Sequence, residues 1–393
     1  MEWILVFGIT VALGYNFING LHDAANSIAT VVATRVLSPV KAIILAAFFN
    51  LLGPLILTTA IAETISRGVF IPEYLTLEIV IIGVICASFW TLFTAYVGLP
   101  VSSVHSLVGG LVGSAVAYGG LNVVILPSLS VIGQIIGLAI IGMIGGAGII
   151  YLLACYFKEQ NPRKYMPIGA FFGFILIIPT AIALHYLVIS GILKIILFIV
   201  ISPCLGFLIA FLLGSLVTRF FRNSNTSTMN GIFNKLQIIS ASFYSLGHGS
   251  NDGQNAMGVI TTMLVLAGVI SDYTVPLWVI LACSGAISLG TLTGGWKIVQ
   301  TMAKKITQLR PYQGFCAETG GGIVLLFVSL FGIPVSTTHA ISGCVMGVGS
   351  VRGTAAVQWS MVRQIVTAWV ITIPLTAVGG FAVCSMYLVI LGR

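Results

Sequence analysis

The chain has 393 residues, of which 58% are hydrophobic and only 7% charged, with a mean hydropathy of +1.11. A soluble domain carries roughly a quarter charged residues, so composition excludes a water-facing globule and places the chain in a lipid bilayer. The net charge of +8 fits asymmetric loops flanking membrane spans better than a nucleic-acid partner, and none is expected.

Apolar stretches about 20 residues long recur from end to end, and in lipid such segments must be helices so that backbone polar groups are satisfied internally. The expected fold is an all-α polytopic membrane protein. Charged and Pro/Gly-rich breaks predict about twelve transmembrane segments, at 3–35, 39–62, 75–97, 100–126, 129–157, 168–189, 193–220, 236–270, 275–296, 314–332, 334–350 and 357–391. The first reads as a span rather than a cleaved signal, since it lacks a basic start. The first and eighth are too long for simple spans and carry polar sequence within, as a broken or bent helix would. Segments 100–126 and 334–350 either cross fully or fold back as hairpins. The seven cysteines are scattered and lack metal-ligand spacing.

Twelve crossings with the N-terminus outside leave only Arg67, Lys194 and Arg393 of the 17 basic residues outside, together with acidic Glu2, Glu63, Glu73, Glu78 and Asp272. This positive-inside bias predicts a multi-pass protein of the cell (inner) membrane with both termini outside.

Two motifs occur twice in the same order. NGLHDAANSIA from Asn19 aligns with HGSNDGQNAMG from His248, pairing Asp23 with Asp252 and Asn26 with Asn255. GLPVSSVHSLVGGLVG from Gly98 aligns with GIPVSTTHAISGCVMG from Gly332, pairing Ser102 with Ser336, Ser103 with Thr337 and His105 with His339. The loop over 63–78 is mainly acidic and its counterpart over 297–310 carries four basic residues, so equivalent loops lie on opposite sides and the repeats are inverted. The expected organisation is repeat 1 over 1–150, a two-span linker over 151–235 and inverted repeat 2 over 236–393.

Asp23 and Asp252 are carboxylates within apolar segments, where an unpaired charge costs several kcal/mol. Neither motif holds a Lys or Arg, so bound cations, protons, hydroxyls or the amides of Asn26 and Asn255 must compensate them. Asp and Asn three positions apart share a helix face and offer oxygens suited to a hard cation such as sodium. Carbonyls unwound beside Gly20, Gly249 and Gly253 are expected as further ligands. Each Pro-Val-Ser turn reads as an extended dipeptide opening a hydroxyl-capped helix, whose N–H groups and hydroxyls suit an oxyanion. The paired glycines Gly109, Gly113, Gly343 and Gly347 read as close helix packing. His105 and His339 are expected as outer partners of the site, either orienting ligands or carrying protons, and Gln254 is grouped with them. Glu318, in GFCAETGGG, is a third acid in an apolar stretch without a twin, expected to serve coupling or gating.

HDAANS and NDGQNA, PVSSVH and PVSTTH, GGWKIVQTM from Gly294 and GFCAETG from Gly314 together resemble the inorganic phosphate transporter (PiT) family, in particular a bacterial or archaeal sodium/phosphate symporter. The resemblance implies inward carriage of orthophosphate with co-transported sodium ions, no organic cofactor, and no enzymatic reaction. Some bacterial relatives use protons instead and carry metal phosphate. It assigns Asp23, Asn26, Asp252 and Asn255 to the substrate and cation centre, with Ser102, Ser103, Ser336, Thr337 and Thr338 touching phosphate. Asn50 departs from the family's animal members, which carry a second glutamate there. An intramembrane aspartyl protease would need a Gly-x-Gly-Asp signature that the chain lacks, and a channel has less use for paired inverted halves. Sulfate and proton coupling stay open, as does homodimerisation.

Overall fold

The computed structural model describes residues 2–68, 75–189 and 191–392. Glu73 and Arg393, used above in weighing orientation, lie outside these. Among the described residues there are fourteen α-helices and no β-strand. In chain order they are α1 (Glu2–Ala33), α2 (Pro39–Ile56), α3 (Ala60–Gly68), α4 (Leu77–Val97), α5 (Ser103–Gly119), α6 (Leu129–Tyr156), α7 (Met166–Ala183), α8 (Gly191–Phe220), α9 (Thr226–Leu266), α10 (Leu277–Thr293), α11 (Trp296–Lys305), α12 (Pro311–Leu330), α13 (Thr337–Ser350) and α14 (Trp359–Ile390).

Eight helices among the described residues are long and apolar enough to cross a membrane, or nine when α10 and α11, bent by 74° at a two-glycine break, count as one. Phe89, Ile144, Val370 and Ile390 are exposed on these helices, as lipid-facing side chains must be. The segments at 100–126 and 334–350 resolve into helices of 17 and 14 residues. At about 1.5 Å per residue each is shorter than a hydrocarbon core of about 30 Å. Almost every residue in their first three turns is buried.

The expectation of broken first and eighth helices is corrected. α1 and α9 run unbroken for 32 and 41 residues, straight through their polar motifs. The carbonyls beside Gly20, Gly249 and Gly253 are therefore committed to the helix ladder and are not ion ligands. Two of these glycines admit close neighbours instead. A Cβ on Gly20 would lie 2.1 Å from the Ile287 carbonyl oxygen, and one on Gly249 would lie 2.3 Å from that of Asn50. Breaks occur elsewhere, between α2 and α3 and between α10 and α11.

Both hydroxyl turns are built alike. Gly98 ends α4 at φ +82° and Gly332 follows α12 at φ +58°, a left-handed conformation that glycine adopts without a Cβ penalty. The chain then extends through Pro100 or Pro334 into a serine N-cap. Ser102 Oγ accepts from the His105 N–H and Ser336 Oγ from the His339 N–H, both at 3.2 Å.

The chain divides into two compact units, one of residues 1–125 and 198–393 and the other of 126–197. The boundary differs from the linker expected at 151–235. In the second unit α6 and α7 pack backbone to backbone through Gly142, Gly146, Gly169 and Gly173, so residues 126–150 associate with α7. The first unit holds all four motif copies.

Candidate substrate and cation site

α1 and α9 bring Asp23 and Asp252 together. One ligand atom from each, with one from His248, all lie within 4.8 Å of one another, and all three side chains are buried. Among the described residues no Lys or Arg pairs with either aspartate; the ion-pair partners are His22 and His248.

Each aspartate meets the hydroxyl turn of its own repeat. Ser103 Oγ donates to Asp23 Oδ2 and Thr337 Oγ1 to Asp252 Oδ2, both at 3.0 Å. The residue before each aspartate holds the other oxygen. His22 Nδ1 lies 2.8 Å from Asp23 Oδ1, and Asn251 Nδ2 donates to Asp252 Oδ1 at 2.8 Å. Tyr15 and Tyr244 anchor the turns, donating to the carbonyls of Ser103 and Thr337 at 2.9 and 3.2 Å. Carrying the motif alignment eight residues upstream pairs these tyrosines. That was the signal available for them, and for His22 opposite Asn251.

A hydrogen-bonded chain orients His248. Thr291 Oγ1 donates to the Ile287 carbonyl, so it accepts from Asn50 Nδ2 at 2.9 Å. Asn50 Oδ1 then faces His248 Nδ1 at 3.1 Å, and that nitrogen is the donor. His248 Nε2 is left 3.2 Å from Asp252 Oδ2. A neutral ring there opposes a lone pair to a carboxylate, an arrangement that a cation or proton between them would stabilise.

Asn26 Nδ2 donates to Thr337 Oγ1 and Thr338 Oγ1 at 3.2 and 3.0 Å, while its Oδ1 has no partner. Both side-chain polar atoms of Asn255 are buried without partners, as are Ser27 Oγ and Asn251 Oδ1. Leaving such atoms unmet costs about 1–3 kcal/mol each, and oxygens of this kind fit an oxygen-ligated cation.

The remaining expected residues lie further off. Ser102 and Ser336 use their oxygens as helix caps. Gln254 turns toward α3, where its Oε1 accepts from the N–H groups of Ile61 and Ala62 at 2.9 and 3.2 Å and so caps that short helix. Glu318 has a separate nest, accepting from Thr30 Oγ1, Ser240 Oγ and Gln237 Nε2. His105 and His339 meet ring to ring at 4.8 Å.

Helices long enough to span, enclosing paired carboxylates and shorter hydroxyl-headed helices, define a polytopic membrane transporter. The sequence profile described as "Phosphate transporter family" matches residues 19–168 and 222–380. A probable low-affinity inorganic phosphate transporter of Rhizobium meliloti (strain 1021) is 40% identical over 375 residues, covering 95% of this chain and 93% of the relative. One from Bacillus subtilis (strain 168), described in the same words, is 33% identical and covered to 97% on both sides. A solved structure of a sodium-dependent phosphate transporter matches with a TM-score of 0.70 and 25% identity, over 99% of this chain and 100% of that one. The chain belongs to the phosphate transporter family.

Proposed function

We propose that this protein imports inorganic phosphate across the cell membrane by symport with sodium ions, through alternating access around the Asp23–Asp252 centre. The observation that carries this reading is the convergence of two buried carboxylates and the His248 nitrogen with, among the described residues, no Lys or Arg paired to them. A phosphate dianion entering alone would meet two negative charges. At an effective dielectric of about 20, each unit-charge repulsion at 4 Å is worth about 4 kcal/mol. Cations bound at Asp23, Asn26, Asp252 and Asn255 reverse that sign, so anion and cation must bind together. Each then raises the other's affinity by the same factor.

Ser103, Thr337 and Thr338 lead the phosphate contacts, with the N–H groups at the starts of α5 and α13. Ser102 and Ser336 hold those helix starts in shape. The contact of Tyr15 with Ser103 is repeated by that of Tyr244 with Thr337, and the contact of Ser103 with Asp23 by that of Thr337 with Asp252, which supports two duplicated halves; the loop charges, counted over twelve crossings, support their inversion and termini outside.

A second reading, proton coupling, is favoured by the imidazoles beside both aspartates. Radiolabelled phosphate uptake into proteoliposomes, with sodium and proton gradients imposed separately, decides between them. Accumulation driven by sodium at equal pH is expected. Uptake that ignores sodium and follows a proton gradient would replace the first reading with the second.

A further inference from the structure

The two hydroxyl turns ride on different long helices. α5 lies against α14, where Gly109 faces Thr376 and the Ile373 carbonyl and Gly113 faces the Ala377 carbonyl. α13 lies against α8, where Gly343 faces the Pro203 carbonyl and Gly347 that of Phe207. These packings fix each turn to its own support but not one turn to the other. On the aspartate side the turns meet through Asp23, which accepts from both Ser103 and Thr338. That link involves a charged group whose surroundings change as ions enter and leave.

A neutral link lies on the other side. Trp369, on α14 and 4% exposed, touches both turns. Its Nε1 donates to the Pro100 carbonyl of the first turn at 3.0 Å. Its indole stacks on His339 of the second turn, with centroids 3.8 Å apart and planes at 24°. His339 then meets His105, back in the first turn, edge to face at 4.8 Å. Pro100, Trp369, His339 and His105 thus close a loop from one turn to the other and back. Packed planar rings with few rotatable bonds hold such a spacing rigidly.

We propose that Trp369, acting through His339 and His105, is a positioning residue that sets the spacing of the two hydroxyl turns and thereby affinity for the tetrahedral oxyanion, without touching it. This rests on the reading of the turns as phosphate contacts. A fault in spacing weakens every oxygen contact bridged between the turns, whereas Asp252 keeps Thr337 and Asn251 and Asp23 keeps Ser103 and His22, losing at most the bond from Thr338. The effect should therefore fall on phosphate more than on sodium.

Sodium-driven phosphate uptake by the full-length protein in proteoliposomes tests this with three variants. Trp369→Leu loses both stack and N–H, and should raise the KM for phosphate about tenfold, with sodium half-saturation measured at saturating phosphate within about twofold of the unsubstituted protein. Trp369→Phe keeps a ring without the donor and should recover much of the loss, leaving KM about three- to fivefold raised. His339→Ala removes the ring between Trp369 and His105 and should raise the KM for phosphate about as far as Trp369→Leu. A phosphate KM unchanged in Trp369→Leu, or a loss confined to maximal rate, overturns the inference. If Trp369→Leu does not fold, an unchanged KM in Trp369→Phe overturns it. Absence of phosphate uptake in the unsubstituted protein would overturn the underlying reading as well, and is told apart because it appears before any substitution is made.

Discussion

Thr338 Oγ1 donates to Asp23 Oδ1 at 3.1 Å across 315 positions of the chain, and this bond has no counterpart in the other half. The residue aligned with Thr338 is Val104, which has no hydroxyl to offer Asp252. Asp23 thus takes hydroxyls from both turns and Asp252 from one. Thr338→Val, which keeps the shape, should remove a hydrogen bond to a charge worth about 1.5–3 kcal/mol and weaken sodium activation of uptake by tenfold or more. Sodium half-saturation measured at fixed phosphate checks this, and a value like that of the unsubstituted protein would count against it.

Asp23→Asn and Asp252→Asn should each nearly abolish sodium-dependent phosphate uptake while leaving the protein folded. The amide keeps volume and one oxygen but loses the charge that draws a cation into the centre. Uptake in proteoliposomes is the measurement, with gel filtration of the purified variants as the check on folding. Uptake at the parent rate in either variant would sink the cation-site assignment.

Gly20→Ala and Gly249→Ala address helix packing. Their methyl groups would overlap backbone atoms of Ile287 and Asn50, which cannot rotate away. Overpacking of this kind costs about 1–3 kcal/mol. Both variants should melt at lower temperature, and Gly249→Ala should also disturb Asn50 and so the orientation of His248. Thermal unfolding of the detergent-solubilised protein, read by intrinsic fluorescence, tests the first point.

Glu318 is buried with three neutral donors from α1 and α9 around it. Glu318→Ala leaves Thr30, Ser240 and Gln237 facing a void and should destabilise the protein by several kcal/mol. Glu318→Gln preserves most of the hydrogen bonds and removes the charge. It should fold well, and a fall in uptake then assigns Glu318 to ion movement, whereas unchanged uptake assigns it to structure. Melting and uptake are compared on the same preparations.

The membrane class, the helical architecture and the repeated motifs were legible because lipid imposes long apolar runs and because the two motif copies keep their order. Other features depended on the partner of each residue. That α1 and α9 stay unbroken could not be read from Asp23 or Asp252, since their compensation comes from Ser103, Thr337, Thr338 and His22, up to 315 positions away. Gln254 looks like a member of the ion motif, yet it serves α3, which no local pattern announces. Asn50, met in the sequence only as a departure from relatives, sets the tautomer of His248 through Thr291. Trp369 belongs to neither motif, and its place between the turns follows only from how α14 lies along α5.

Gln254 stands two positions from Asp252 and holds the first turn of α3, whose Glu63 and Arg67 are exposed. The buried centre is thereby mechanically continuous with a surface helix. On the proposed function, ions and anion settling around Asp252 would pass a rotation of α9 to α3 through one amide oxygen, and a fluorophore placed on that helix would read the occupancy of a site buried among the helices.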